Sequence, residues 1–135
     1  MNGSIATILE LSLAPTPKAP ALARAAVSDW LAQQSNDGVI LDVVLLLVSE
    51  LVTNSVRHAR MAEEPLRLTA WVGEATVRFE IWDSGSDGTV ARREPRRDND
   101  LGGFGLELVT RLSSAWGVER DVTGTTVWLE VTTAG

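Results

Sequence analysis

Residues 39–60 carry one long helical pattern that changes character halfway. Its first half is almost wholly apolar, and Glu50, Asn54, Arg57 and His58 then arrive on one side. At about 100° per residue, Glu50, Asn54 and Arg57 share the sector that Val43, Leu46 and Leu47 occupy earlier. A face that begins as core is therefore expected to end as a polar site. A carboxylate and an amide buried without partners would cost several kcal/mol, so a metal, a ligand or water must meet them there.

The flanking segments supply the rest of the fold. Residues 5–13 alternate weakly and suit an edge strand. Pro15, Pro17 and Pro20 then lead into a helix over residues 18–34, with Leu22, Ala25, Ala26, Trp30 and Leu31 expected to face the core. Asn36-Asp37-Gly38 is a turn and a start signal for the long helix. Residues 66–72 read as a strand with Leu66, Leu68, Ala70 and Val72 on one face. Gly73-Glu74 reads as a tight hairpin turn, and residues 75–83 as a strand with Val77, Phe79 and Ile81 inward. Residues 84–101 are polar and charge-rich, a length at which loops are usually functional lids or disordered. Helical spacing over 103–116 runs through Leu106, Val109, Leu112 and Ser113. Residues 118–122 and 125–132 close the chain as a hairpin with Val127, Leu129 and Val131 on one face. The expected fold is α+β: a two-layer sandwich, its mixed and mostly antiparallel sheet covered on one face by helices.

At 135 residues the chain is expected to be one domain, 1–135. It has no cysteine, which excludes disulfides, thiolate metal sites and cysteine nucleophiles. A net charge of −6 disfavours direct nucleic-acid binding. No stretch approaches the roughly 20 apolar residues of a membrane span, and no secretory leader is seen, so a cytoplasmic protein without membrane contact is expected.

Three short motifs carry chemistry. Glu50 and Asn54 are four residues apart and meet on one helical face. Their oxygens are hard ligands of the kind Mg²⁺ accepts beside phosphate and water, and a Glu beside Mg-nucleotide can orient or deprotonate a hydroxyl. Asp83-Ser84-Gly85 ends a buried strand, where a carboxylate can accept from an amine such as adenine N6. Leu101-Gly102-Gly103-Phe104-Gly105-Leu106 precedes a helix, and such turns expose backbone N–H groups to phosphate. It is neither a Walker A loop nor a dinucleotide fingerprint. His58 is the only histidine, so a multi-histidine metal site is excluded and a cap or core-edge role is the simplest for it.

Together these motifs resemble the GHKL, or Bergerat-fold, ATPases. Glu50-Leu51-Val52-Thr53-Asn54-Ser55-Val56-Arg57-His58-Ala59 is similar to their N box, Asp83-Ser84-Gly85 to the G1 box, and Gly103-Phe104-Gly105-Leu106 to the G2 box. Gly124-Thr125-Thr126-Val127-Trp128 is similar to the closing Gly-x-Thr element. Order and spacing match over nearly the whole chain. Trp116-Gly117 with that ending resembles the short stand-alone anti-sigma-factor serine/threonine kinases. The resemblance implies ATP as ligand with Mg²⁺ on Asn54, Glu50 as catalytic base or water-orienting residue, and Asp83 on adenine with Gly85 shaping the pocket. It implies phosphate contacts from Gly103, Gly105 and Leu106, Thr126 on the adenine side, and an ATP lid over 86–102. Arg57, His58, Gly102 and Phe104 fall at the nucleotide in the same way. Such kinases often carry arginine beside or within the G2 glycines, where this chain has Leu101 and Phe104; Asp83-Ser84-Gly85-Ser86-Asp87-Gly88 is also one residue longer than a strict D-x-G-x-G.

Two functions follow as expectations. One is a kinase that binds a sigma factor and phosphorylates an anti-sigma antagonist. The other is a catalytically weak switch module whose partner affinity depends on ATP or ADP. A sensor histidine kinase fragment is disfavoured, because no phosphoacceptor histidine or dimerisation helix is seen. The resemblance also implies homodimers, and an exposed edge strand at 5–13 invites pairing.

Overall fold

The computed structural model describes residues 8–34, 41–58, 64–73, 75–84 and 107–132. The order is β1 (Ile8–Leu13), α1 (Ala19–Ala32), α2 (Leu41–His58), β2 (Leu66–Val72), β3 (Thr76–Asp83), α3 (Glu107–Leu112), β4 (Ala115–Asp121) and β5 (Gly124–Thr132). The strands form one sheet in the order β1-β2-β3-β5-β4. Every pairing among the described residues is antiparallel, so the sheet is antiparallel rather than mixed. β1 lies at one edge, as its weak alternation suggests, and β4 at the other.

Period-two alternation decides the inner face of the sheet. Leu66, Leu68 and Ala70, then Val77, Phe79 and Ile81, then Val127, Leu129 and Val131 are all buried. Trp116 and Val118 of β4 continue that face. Each large side chain buried this completely contributes about 1.5–3 kcal/mol. The helices cover this layer, and Trp30 of α1 meets Phe79 edge-on, with ring centroids 6.5 Å apart.

Helix phases differ from the sequence expectation. In α1 the buried stripe is Ala19, Ala23, Val27, Trp30 and Leu31. Leu22 is 56% exposed and Ala25 is also outward, while Ala26 is half-buried. Steps of four back from Leu31 give Val27, Ala23 and Ala19; stepping back from Trp30 instead selects the neighbouring stripe. In α2 the core stripe is Val44, Leu47, Val48, Leu51 and Val52. Leu46 is 41% exposed and Val43 only partly buried. Glu50, Asn54 and Arg57 thus continue the flank of the buried stripe, not its centre.

Three boundaries also shift. Gly73 donates its N–H to Thr76 O at 2.8 Å, so it pairs across the β2–β3 hairpin. The third helix ends at Leu112, itself 38% exposed. Ser113 makes the last helical bond, to Val109 O at 3.0 Å, and Ser114 N–H then turns to Glu130 O at 2.7 Å. That sheet bond carries Ala115 and Trp116 into β4. The closing hairpin turns at Val122-Thr123, because Asp121 already pairs with Gly124.

Asp121 holds that turn. Its Oδ1 accepts from Thr123 Oγ1 at 2.6 Å, Thr123 N at 2.8 Å and Gly124 N at 3.2 Å. The Thr123 hydroxyl first, then its N–H, lower the Asp121 pKa below its ordinary 3.8. A carboxyl lowered in the folded state stabilises above its ordinary value and loses that contribution as pH falls through the lowered one. The Thr123 amide resonance is therefore expected to titrate with a midpoint below pH 3.8. A midpoint at or above that value would show that the turn bonds do not hold the carboxylate.

Candidate functional site

Among the described residues four polar side chains are buried: Asn54, Ser55, Asp83 and Thr125. Two come from consecutive positions on α2 and two from paired strands, and α2 packs against β3. Buried polar groups are normally hydrogen-bonded, and an unsatisfied one costs about 1–3 kcal/mol.

Asn54 is oriented by its own helix. Its Nδ2 donates to Glu50 O at 2.7 Å. This fixes the amide and leaves Oδ1 buried, with no hydrogen-bond partner among the described residues. Ser55 Oγ is likewise buried and without a partner among them. An orphaned, oriented amide oxygen suits a hard cation such as Mg²⁺. Among the described residues no three His, Cys, Asp or Glu side chains gather into a metal cage. Sharing a metal with phosphate and water is the usual arrangement for Mg²⁺ beside a nucleotide, and one protein oxygen such as Asn54 Oδ1 fits it. Glu50 stands one turn earlier, half-buried, and Arg57 is exposed on the following turn.

Asp83 closes β3 at 1% exposure. The β3–β5 register pairs it with Thr125, which is fully buried. Parity along the strands explains this: Asp83 follows Val77, Phe79 and Ile81 inward, and Thr125 precedes Val127, Leu129 and Val131. Thr126 lies on the other face, opposite Trp82 and Glu119. The hydroxyl that shares a face with Asp83 therefore belongs to Thr125, while Thr126, expected on the adenine side, stands on the opposite face of the strand. Arg120 of β4 pairs with Thr125, which extends the same row by a cationic residue. Arg120 shares parity with Trp116 and Val118.

Gly124 brings the strand ends together. A Cβ there would stand 2.1 Å from Asp83 O and 2.7 Å from Trp82 Nε1. Only a residue without a side chain lets β5 begin this close to the end of β3. Gly85, Gly102, Gly103, Phe104, Gly105, Leu106 and the lid over 86–102 lie outside the described residues, as does the His58 side chain.

The described part of the site thus offers an oriented amide oxygen, a carboxylate one turn away, and a buried carboxylate paired with a buried hydroxyl. Groups of this kind fit a metal-nucleotide with an amine-bearing base. Residues 13–131 match the family described as the histidine kinase-like ATPase domain. No curated protein matches the sequence. Among solved structures, the chain is similar to one titled the crystal structure of the RsbU and RsbW domains of Rv1364c from Mycobacterium tuberculosis. The TM-score is 0.71 at 22% identity, covering 95% of this chain and 33% of that one. That likeness shows the fold, and this chain spans about a third of the neighbour's length. With its family match running from the end of β1 to the end of β5, the chain belongs to the histidine kinase-like ATPase domain family.

Proposed function

We propose that this ATPase domain is an anti-sigma-factor kinase: it binds ATP with Mg²⁺ and a sigma factor, and phosphorylates a serine or threonine hydroxyl of an anti-sigma antagonist. The observation that carries the nucleotide part is the orphaned Oδ1 of Asn54, on the N-box position where the family resemblance places the metal. Asn54 would hold Mg²⁺, which supplies charge neutralisation at the phosphates. Glu50 would take the proton of the incoming hydroxyl as its oxygen bonds to the γ-phosphorus and the bond to the ADP leaving oxygen breaks. Asp83, with Thr125 beside it, would accept from the adenine amine. The RsbW domain named for the structural neighbour supports the choice of partner class. Labelled ATP incubated with the protein and candidate antagonists tests the proposal, with label expected on a serine or threonine of one antagonist.

The second reading is an ATP-dependent switch without transfer. Leu101 and Phe104 favour it, because they replace arginine that could reach the γ-phosphate. Nucleotide-dependent capture of a partner, with no label transferred, would select this reading.

Adenine recognition can be tested separately. Asp83→Asn replaces a carboxylate acceptor with an amide, and a hydrogen bond to a charged group contributes about 1.5–3 kcal/mol. ATP affinity is expected to fall by about 10–100-fold in calorimetry, with the circular dichroism spectrum unchanged. Wild-type affinity in this variant would remove Asp83 from the adenine site.

A further inference from the structure

Among the described residues β1 has a neighbour on one side only, because the sheet begins with it. Nothing in the strand blunts that edge. Residues 8–13 hold no proline and no lysine, and the β1–β2 register runs unbroken from Ile8 against Trp71 to Leu13 against Leu66, without a bulge. Natural edges usually carry such a device, since a free row of backbone N–H and C=O groups is a template for another strand. Alternation points Leu9, Leu11 and Leu13 to the core and leaves Ile8, Glu10 and Ser12 exposed on the outer face.

Further along that outer face, Arg78 is self-satisfied. Its guanidinium lies 4.3 Å from the Trp128 ring centroid. It donates from Nε to Glu80 at 2.9 Å and from Nη1 to Glu130 at 2.8 Å. Two opposite charges at the β1–β2 end are left over. Neither Glu10 nor Arg67 makes an ion pair among the described residues. They are diagonal neighbours, Glu10 against Thr69 and Ser12 against Arg67, about 7–8 Å apart. Long side chains span such a gap, yet Arg67 stacks 5.3 Å from the Trp82 centroid, on the side away from β1. Both charges line one surface groove of ≈ 390 Å³, together with Ser12 and Thr69.

We propose that the β1 edge docks an extended segment of another protein, which adds a strand beside β1 and carries a basic and an acidic residue two apart. Strand addition draws affinity from main-chain hydrogen bonds and specificity from alternate side chains. The residue facing Glu10 across the new pair is the basic one, since opposite charges directly across two strands attract and like charges repel. Its same-face neighbour, two residues on, faces Ser12. Ser12 is short, so an acidic side chain there passes over it to Arg67, whose exposed guanidinium is a fork for a carboxylate. Facing Glu10 and Ser12 in this way fixes the pattern as basic-x-acidic along β1, whichever way the added strand runs. A second copy of β1 does not meet this demand: residues 8–13 contain one charged residue, Glu10, and no basic one. The surface is separate from the nucleotide site, since β2 stands between β1 and the strand that ends in Asp83.

Nuclear magnetic resonance on the full chain, titrated with blocked synthetic strands, tests this. The probe is the peptide VKVEV. It is expected to shift the amide resonances of residues 8–13 and the Arg67 Nε resonance, with a dissociation constant on the order of 0.1–1 mM. Its N-methylated form keeps the side chains, loses the N–H donors and is expected not to bind. Arg67→Glu and Glu10→Lys are each expected to weaken VKVEV by about fivefold or more, since each sets like charges together. Matched peptides restore the attraction: VKVKV is expected to bind Arg67→Glu, and VEVEV to bind Glu10→Lys, within about threefold of the wild-type constant for VKVEV. No shift in residues 8–13 at about 5 mM VKVEV, equal binding by the N-methylated form, or an unchanged constant in both charge variants would overturn the inference. Resonances of residues 8–13 that move with protein concentration before peptide is added would overturn it as well, because a second copy then occupies the edge.

Discussion

Glu50→Ala is expected to keep ATP binding near wild type and to lower transfer to a partner serine by about 10²–10⁴-fold, the usual contribution of a positioned base. Asn54→Ala is expected to damage both. The difference comes from what each side chain meets. A base acts on the incoming hydroxyl, not on the nucleotide. Asn54 instead presents a buried oxygen with no partner among the described residues, held in orientation by its own bond to Glu50 O. Glu50→Ala leaves that bond in place, because the acceptor is the backbone carbonyl. The two variants therefore separate chemistry from binding without a shared structural defect. Calorimetry with Mg-ATP and a transfer assay with labelled ATP check this. A Glu50→Ala protein that phosphorylates at the wild-type rate would show that Glu50 is not the base. Unchanged Mg-ATP affinity in Asn54→Ala would remove Asn54 as the metal ligand.

Much of this arrangement is legible in the sequence. The strands are the clearest part, because a period of two leaves one decision per strand. Phe79 and Ile81 inward, or Leu129 and Val127 inward, settle every other residue of β3 and β5. The same parity extends to Asp83 and Thr125, so the hydroxyl that shares the inner face with Asp83 was readable. The motif points to Thr126, one residue on and therefore on the other face. The helices are less determinate. In α1, alanines at 19, 21, 23, 25, 26 and 32 make several stripes nearly equivalent, and packing against α2 and the sheet chooses among them. Tertiary bonding also sets where α3 stops, since the Ser114 bond to Glu130 links positions far apart in sequence. The unsatisfied state of Asn54 Oδ1 is not a sequence property at all. It depends on the helix turning the amide inward while Glu50 O takes its donor.

Gly124→Ala is expected to cost about 1–3 kcal/mol in stability, as overpacking of a close-packed site does. It should also weaken ATP binding about tenfold or more through the position of Asp83. The added methyl would stand 2.1 Å from Asp83 O and 2.7 Å from Trp82 Nε1. The nearest atom is backbone, so rotation of a side chain cannot relieve the overlap. The φ of +158° adds strain for any residue with a Cβ. The ends of β3 and β5 must then separate where Asp83 meets Thr125 and Trp82 meets Thr126. Gly117→Ala is the informative control. The atoms nearest its added methyl would belong to the Trp128 indole, at 2.8–2.9 Å, on the face away from Asp83. The indole can shift, at the expense of its stacking with Arg78. Gly117→Ala is therefore expected to lower the thermal midpoint by several degrees while ATP affinity stays at the wild-type value. If Gly124→Ala likewise loses stability and keeps full ATP affinity, the close approach at Gly124 serves the fold alone and does not position Asp83 for nucleotide.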